Sequence, residues 1–260
     1  MNSSFPKINS NNFRKMKRLL FILFAFHLSL FAANAQSDDF GLDFSLEAEK
    51  KISKKWSLGL EAEVRTRDNT KTMDRWSGGL SAEYKITKWL KASAGYNLLY
   101  DNNEKINYLD NGKIKNEAHY WGVRHRFNVS LTASQKFSNF KFSLRERWQY
   151  TYRPEKTADR WDAVDEEWQS HTYSGKGKNV LRSRLQVEFD KKGLALTPYA
   201  NVEFFNAWSL QKTRFNVGVD WKLSKQHTVG AFYRYQVVRD DDDDNEPNIH
   251  MLGLSYKFKF

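Results

Sequence analysis

From Phe40 to its last residue the chain alternates apolar and polar side chains one by one, in eleven segments separated by turn-rich breaks. Successive side chains of an extended strand point to opposite faces, so this alternation demands a sheet with one apolar and one polar face. The last segment carries the pattern in its purest form. Leu252, Leu254, Tyr256, Phe258 and Phe260 share one face, and Gly253, Ser255, Lys257 and Lys259 share the other. The preceding segments are Phe40–Glu49, Trp56–Arg67, Trp76–Ile86, Leu90–Tyr100, Trp121–Ala133, Phe140–Tyr152, Val180–Phe189, Leu196–Phe205, Phe215–Leu223 and Val229–Val238, before Ile249–Phe260.

The polar faces are charged, which decides what the apolar faces meet. They collect Glu61, Glu63, Arg65, Arg124, Arg126, Arg145, Arg147, Arg182, Arg184, Glu188, Glu203, Arg214 and Arg234, with Glu47, Arg67, Glu83 and Asp220 beside them. A soluble sandwich or jelly roll would have to bury its inward faces, which could not then carry repeated Arg and Glu. A transmembrane antiparallel β-barrel turns the apolar face to lipid and the polar face to a wet lumen. The breaks support the barrel. Ile52–Lys55, Thr87–Trp89, Gln135–Asn139, Lys191–Leu194 and Ser224–Gln226 are tight, whereas Asp68–Arg75, Asp101–His119, Arg153–Lys178 and Asp240–Asn248 are long and polar. Short turns at one end and long loops at the other are the periplasmic and extracellular ends of an outer-membrane barrel.

Composition agrees. A mean hydropathy of -0.75 excludes a bundle of membrane-spanning helices, each of which needs about 20 nearly uninterrupted apolar residues. The 15% aromatic content suits interfacial girdles, and the absence of cysteine fits passage through an oxidising periplasm. At the amino-terminus Lys17 and Arg18 precede an apolar run, Leu19–Phe31, and Ala33-Asn34-Ala35 supplies a small-x-small cleavage pattern. Residues 1–35 therefore read as a secretory signal peptide, with cleavage after Ala35 and residues 36–260 as the barrel. The polar residues before Met16 are unlike a signal n-region and point to a true start at Met16. Cleavage removes Lys7, Arg14, Lys15, Lys17 and Arg18 and no acid, so the net charge falls from +11 to +6. That argues against a nucleic-acid role, which needs a concentrated basic face.

The charged inner faces admit two readings. Rings of charge select ions in a pore. Alternatively, Arg and Glu from neighbouring strands pair across a narrow interior and fill it, and this filled lumen is the expectation. A lipid hydrolase needs a hydroxyl nucleophile beside an imidazole. None of His119, His125, His171, His227 and His250 has a Ser two residues on, leaving only distant pairs such as His125 with Ser130 or Ser143. Asp240–Asp244, with Asn245 and Glu246, lacks the spacing of a calcium loop and reads as a solvated tip. Trp161 and Trp168 read as packing their loop onto the barrel mouth. Glu146 falls on an apolar face, which points to a bulge, the membrane rim or a partner contact.

The stretches Arg145–Arg153 (RERWQYTYR), Leu181–Phe189 (LRSRLQVEF), Pro198–Glu203 (PYANVE) and Arg214–Val219 (RFNVGV) resemble the domain of unknown function 2490 family. The resemblance implies an exported outer-membrane barrel over about residues 38–260 and assigns no catalytic residues. The expectation is an up-and-down barrel of roughly ten to twelve strands in the outer membrane of a Gram-negative cell. It is non-enzymatic, without cofactor or metal, monomeric, and structural or accessory in role, with a narrow pore and a lipid-modifying hydrolase as alternatives. Its partners are outer-membrane lipid and lipopolysaccharide, the barrel-assembly machinery and a further outer-membrane protein, with no nucleic acid. One conflict stands: first and last strands both run toward the tight turns, whereas bacterial barrels have an even strand number. That points to ten strands from Trp56 onward, or to a twelfth hidden in a long loop.

Overall fold

The computed structural model describes residues 38–239 and 247–260. The signal-peptide segment 1–35 and the acidic run Asp240–Asp244 lie outside the described residues. Thirteen strands follow in order: β1 (Asp39–Lys51), β2 (Trp56–Arg67), β3 (Thr72–Lys85), β4 (Leu90–Tyr108), β5 (Ile114–Phe137), β6 (Phe140–Arg153), β7 (Lys156–Asp162), β8 (Glu167–Tyr173), β9 (Lys176–Phe189), β10 (Leu196–Ala207), β11 (Ser209–Lys222), β12 (His227–Val238) and β13 (Ile249–Lys259).

Eleven of them close into a barrel, in the order β4-β3-β2-β1-β13-β12-β11-β10-β9-β6-β5 with β5 back on β4. Ten of the wall pairings are antiparallel, and the eleventh, β1 with β13, is parallel, from Asp39 opposite Ile249 to Glu49 opposite Lys259. This resolves the parity conflict against the even-number expectation. Among the described residues the wall has no hidden strand and no surplus one, because two strands running the same way can still pair. The seam leaves no open edge, so every wall strand has a partner on both sides. On the other side of β13, Gly253 lies opposite Phe232 of β12, and a Cβ there would sit 2.0 Å from the Phe232 ring.

The period-two pattern sorts the wall as the sequence requires. Leu46, Leu60, Leu80, Leu131, Leu185 and Leu254 point outward and are each more than half exposed. Trp56, Trp89 and Trp221 border this band toward the turn end, and Trp76, Tyr100 and Trp148 toward the loop end. Lys136 Nζ lies 2.9 Å from the Asp190 carboxylate, clasping two neighbouring turns and holding that carboxyl below its usual range.

Two long breaks are not loops. Asp101–His119 continues the wall as a β4–β5 ribbon, paired as far as Tyr108 with Ile114. Arg153–Lys178 holds the hairpin β7–β8, in which Trp161 and Trp168 face each other at 5.6 Å, and Glu117 and Asn116 of β5 pair with Trp161 and Asp162 at its turn end. Asp68–Arg75 shrinks to a turn whose Asp68 and Asn69 amides donate to the Asp39 carboxylate, both at 2.9 Å. The proposed bulge at Glu146 is absent. The pairing of β6 with both neighbours is unshifted, and the outward Glu146 carboxylate accepts a 2.6 Å hydrogen bond from Ser183.

The chain has no cysteine of its own, so the seam is open to cross-linking. Ser45 pairs with Ser255 and Glu47 with Lys257 in the parallel register. The double variants S45C/S255C and E47C/K257C should therefore both form disulfides under mild oxidation, since each pair lies at bridging distance. If only one forms, the seam is not parallel.

Candidate functional site

The even-numbered or odd-numbered parity of each strand decides which charges enter the lumen, and the structure brings most of them into one chamber. Its cavity of about 720 Å³ reaches from Thr228, Asp220 and Lys257 at the turn end to Arg153, Lys176 and Lys212 at the loop end. Of the sequence-derived ladder, Glu61, Glu63, Arg65, Arg124, Arg126, Arg145, Arg147, Arg182, Arg184, Glu203, Arg214 and Arg234 line it. Glu188 does not. It lies near the turn end, where it meets Lys141 Nζ at 3.0 Å and Gln186 Nε2 at 2.7 Å.

Three buried carboxylates each stand between two guanidinium groups. Asp43 on β1 meets Arg65 Nε at 3.1 Å and Arg234 Nη1 at 2.9 Å. Asp101 on β4 pairs with Arg75 and lies 2.9 Å from Arg124 Nε. Glu203 on β10 pairs with Arg145 and meets Arg182 Nη2 at 2.9 Å. These carboxylates are 2%, 3% and 5% exposed, so each charge is neutralised where water reaches it least. Pairing of this kind fits the filled-lumen expectation locally, because planar guanidinium forks match carboxylates.

It does not extend to the whole interior. Arg126, Arg147, Arg184 and Arg214 form no ion pair among the described residues. Arg147 Nε donates to Ser130 Oγ at 2.9 Å and Arg214 Nε to Gln236 Oε1 at 2.6 Å. Arg182 and Arg214 lie over the Phe205 ring, at 4.5 and 4.7 Å from its centre. Eleven Arg and four Lys line the cavity against six carboxylates. The lining is uneven in charge, with basic side chains in excess.

Sequence reasoning missed Arg75, Asp101 and Phe205 as lumen residues. Arg75 and Asp101 fell just outside segments that were ended at Trp76 and Tyr100, although both keep the inward parity of Ser77 and Leu99. His125 faces outward, where its Nδ1 is 2.8 Å from Tyr96 Oη, while Ser130 and Ser143 are buried on the lumen side. The wall thus separates the imidazole from both hydroxyls. The closing-strand residues Leu252, Leu254, Tyr256 and Phe260 stand exposed on the outer surface, and Phe258 packs 5.0 Å from the His227 ring.

A family model described as protein of unknown function (DUF2490) matches residues 40–246. No curated protein matches the chain in sequence. Among solved structures, the chain is similar to the β domain of the Bordetella autotransporter BrkA, with 14% identity and a TM-score of 0.49 over 79% of this chain and 82% of that one. The translocator domain of the autotransporter NalP from Neisseria meningitidis matches at 10% identity and a TM-score of 0.47, over 72% and 70%. The outer-membrane protease OmpT from Escherichia coli matches at 8% and 0.40, over 85% and 87%. At these values the likenesses carry no functional argument.

Removing one partner of a buried ion pair strands the other charge. Glu203→Gln should therefore destabilise the barrel by about 3 kcal/mol. Glu188→Gln, at a more exposed pair, should cost less than about 1 kcal/mol. Urea unfolding in lipid vesicles compares the two, and equal losses would contradict the special place of Glu203.

Proposed function

The chain belongs to the DUF2490 family, and from that premise we propose that it is an outer-membrane β-barrel whose lumen passes small anionic solutes. One observation carries this reading: the cavity spans the barrel from turn end to loop end, and its lining holds fifteen basic and six acidic side chains. Such an imbalance between low-dielectric walls attracts anions and repels cations. The exposed leucine band with aromatic borders supports a lipid environment, since an aqueous protein gains nothing by leaving that surface bare.

The rest of the proposal follows from the sequence. Residues 1–35 act as an export signal that is cleaved, delivering residues 36–260 to the outer membrane of a Gram-negative cell as a monomer. Lipid and lipopolysaccharide surround it, and the alternating aromatic end Leu252–Phe260 is presented to the assembly machinery. The reading is non-enzymatic, and it draws support from the barrel wall standing between His125 and both Ser130 and Ser143. A structural or accessory role for the barrel draws support from the three Arg–carboxylate–Arg groups, which brace nine of the eleven wall strands.

Refolded protein in a planar bilayer should give stepwise openings, and a potassium chloride gradient should shift the reversal potential toward the chloride potential. Selectivity should fall as salt rises, because screening lengths shrink from about 10 Å at 0.1 M to about 3 Å at 1 M. Silent bilayers would sink the pore and leave the structural role standing.

A further inference from the structure

We propose that the lumen holds a site for a dianionic tetrahedral oxyanion, a phosphate group in the first place, at a square of four arginines on β6 and β9. The inference rests on the open-lumen reading and narrows it from small anions in general to one chemical class. In the β6–β9 register Arg145 stands opposite Arg184, and Arg147 opposite Arg182. All four line the cavity. Like charges directly opposite on neighbouring strands destabilise a sheet. This wall carries two such pairs, two residues apart, where an Arg and a Glu would have paired at no topological expense.

Only one carboxylate among the described residues touches the square, that of Glu203. Its register partner on β9 is Arg184, yet it contacts Arg145 and Arg182 instead. Glu203 thereby fixes two of the four forks. Arg147 donates to a neutral hydroxyl, that of Ser130, and Arg184 Nε is buried without a hydrogen-bond partner. Four guanidinium groups therefore answer one carboxylate, inside a wall that offers water only through the lumen.

A buried donor left unpaired is costly, and a ligand that accepts from it recovers that loss. The spacing selects the ligand. Opposite residues on adjacent strands lie about 5 Å apart and alternate residues on one strand about 7 Å apart, so neighbouring forks can converge on one group. A phosphate presents several acceptor oxygens and about two charges to such forks, in the two-point geometry that guanidinium favours. Chloride has no directional acceptors, and a carboxylate has two oxygens and a single charge.

The test uses the full barrel in detergent, titrated calorimetrically with inorganic phosphate and, at equal ionic strength, with chloride and acetate. Phosphate should bind and the other two should not compete. The double variant R147Q/R184Q should weaken phosphate binding by about tenfold or more. It should also raise the thermal midpoint, because it relieves the cross-strand repulsion. Lys91→Gln, which removes a charge paired with Glu83 away from the cavity, should leave binding unchanged. Phosphate binding no tighter than acetate, or binding that survives R147Q/R184Q, would overturn the site. So would a loss of stability and binding together, which would make the square part of the wall. Bilayer recording keeps the two readings apart: chloride steps that phosphate does not block overturn the site alone, and phosphate binding without chloride steps overturns the pore alone.

Discussion

Backbone hydrogen bonding around a closed wall is the constraint from which everything else follows. In a hydrocarbon environment no strand edge can be left bare, so an eleven-strand sheet must close on itself even though its first and last strands run the same way. The parallel β1–β13 seam is the solution. Parallel pairing is slightly weaker per residue than antiparallel pairing, but an unpaired edge would forfeit a whole row of bonds.

Closure also fixes which residues become neighbours in the lumen. Once parity points Arg145, Arg147, Arg182 and Arg184 inward, their strands being adjacent makes a positive cluster unavoidable. Part of that charge is balanced by Glu203, as Asp43 and Asp101 balance other parts of the wall. The remainder is carried as electrostatic tension. A wall selected for stability alone would alternate signs across strands, as Glu47 and Lys257 do at 2.9 Å across the seam. The contrast between that balanced pair and the arginine square, in one barrel, is the observation from which the proposed anion site is argued.

Most of the wall was legible because a lipid-facing barrel writes its strands into the sequence with period two. Trp56–Arg67 reads and folds as the same strand, β2. The reading failed where the apolar face loses its meaning. Asp101-Asn102-Asn103-Glu104 is polar on both faces, since that part of β4 rises beyond the aliphatic band, so alternation could not mark it as strand. β7 and β8 were invisible for the same reason, forming a ribbon with mixed faces that pairs with the extended part of β5. Pairing partners were also beyond reach. That Glu203 would choose Arg145 and Arg182 over its register neighbour Arg184 depends on side-chain reach across β9, which no spacing in the chain records.

The central claim, a lumen both open to water and positive, is met most directly by chemical labelling of one engineered thiol in the otherwise cysteine-free chain. Ser77 lines the cavity. In vesicle-embedded Ser77→Cys, a negatively charged thiosulfonate should react faster than a positively charged one of the same size, and added salt should narrow the difference. A thiol that resists both reagents would mean a filled lumen, and faster reaction with the cation would contradict its charge.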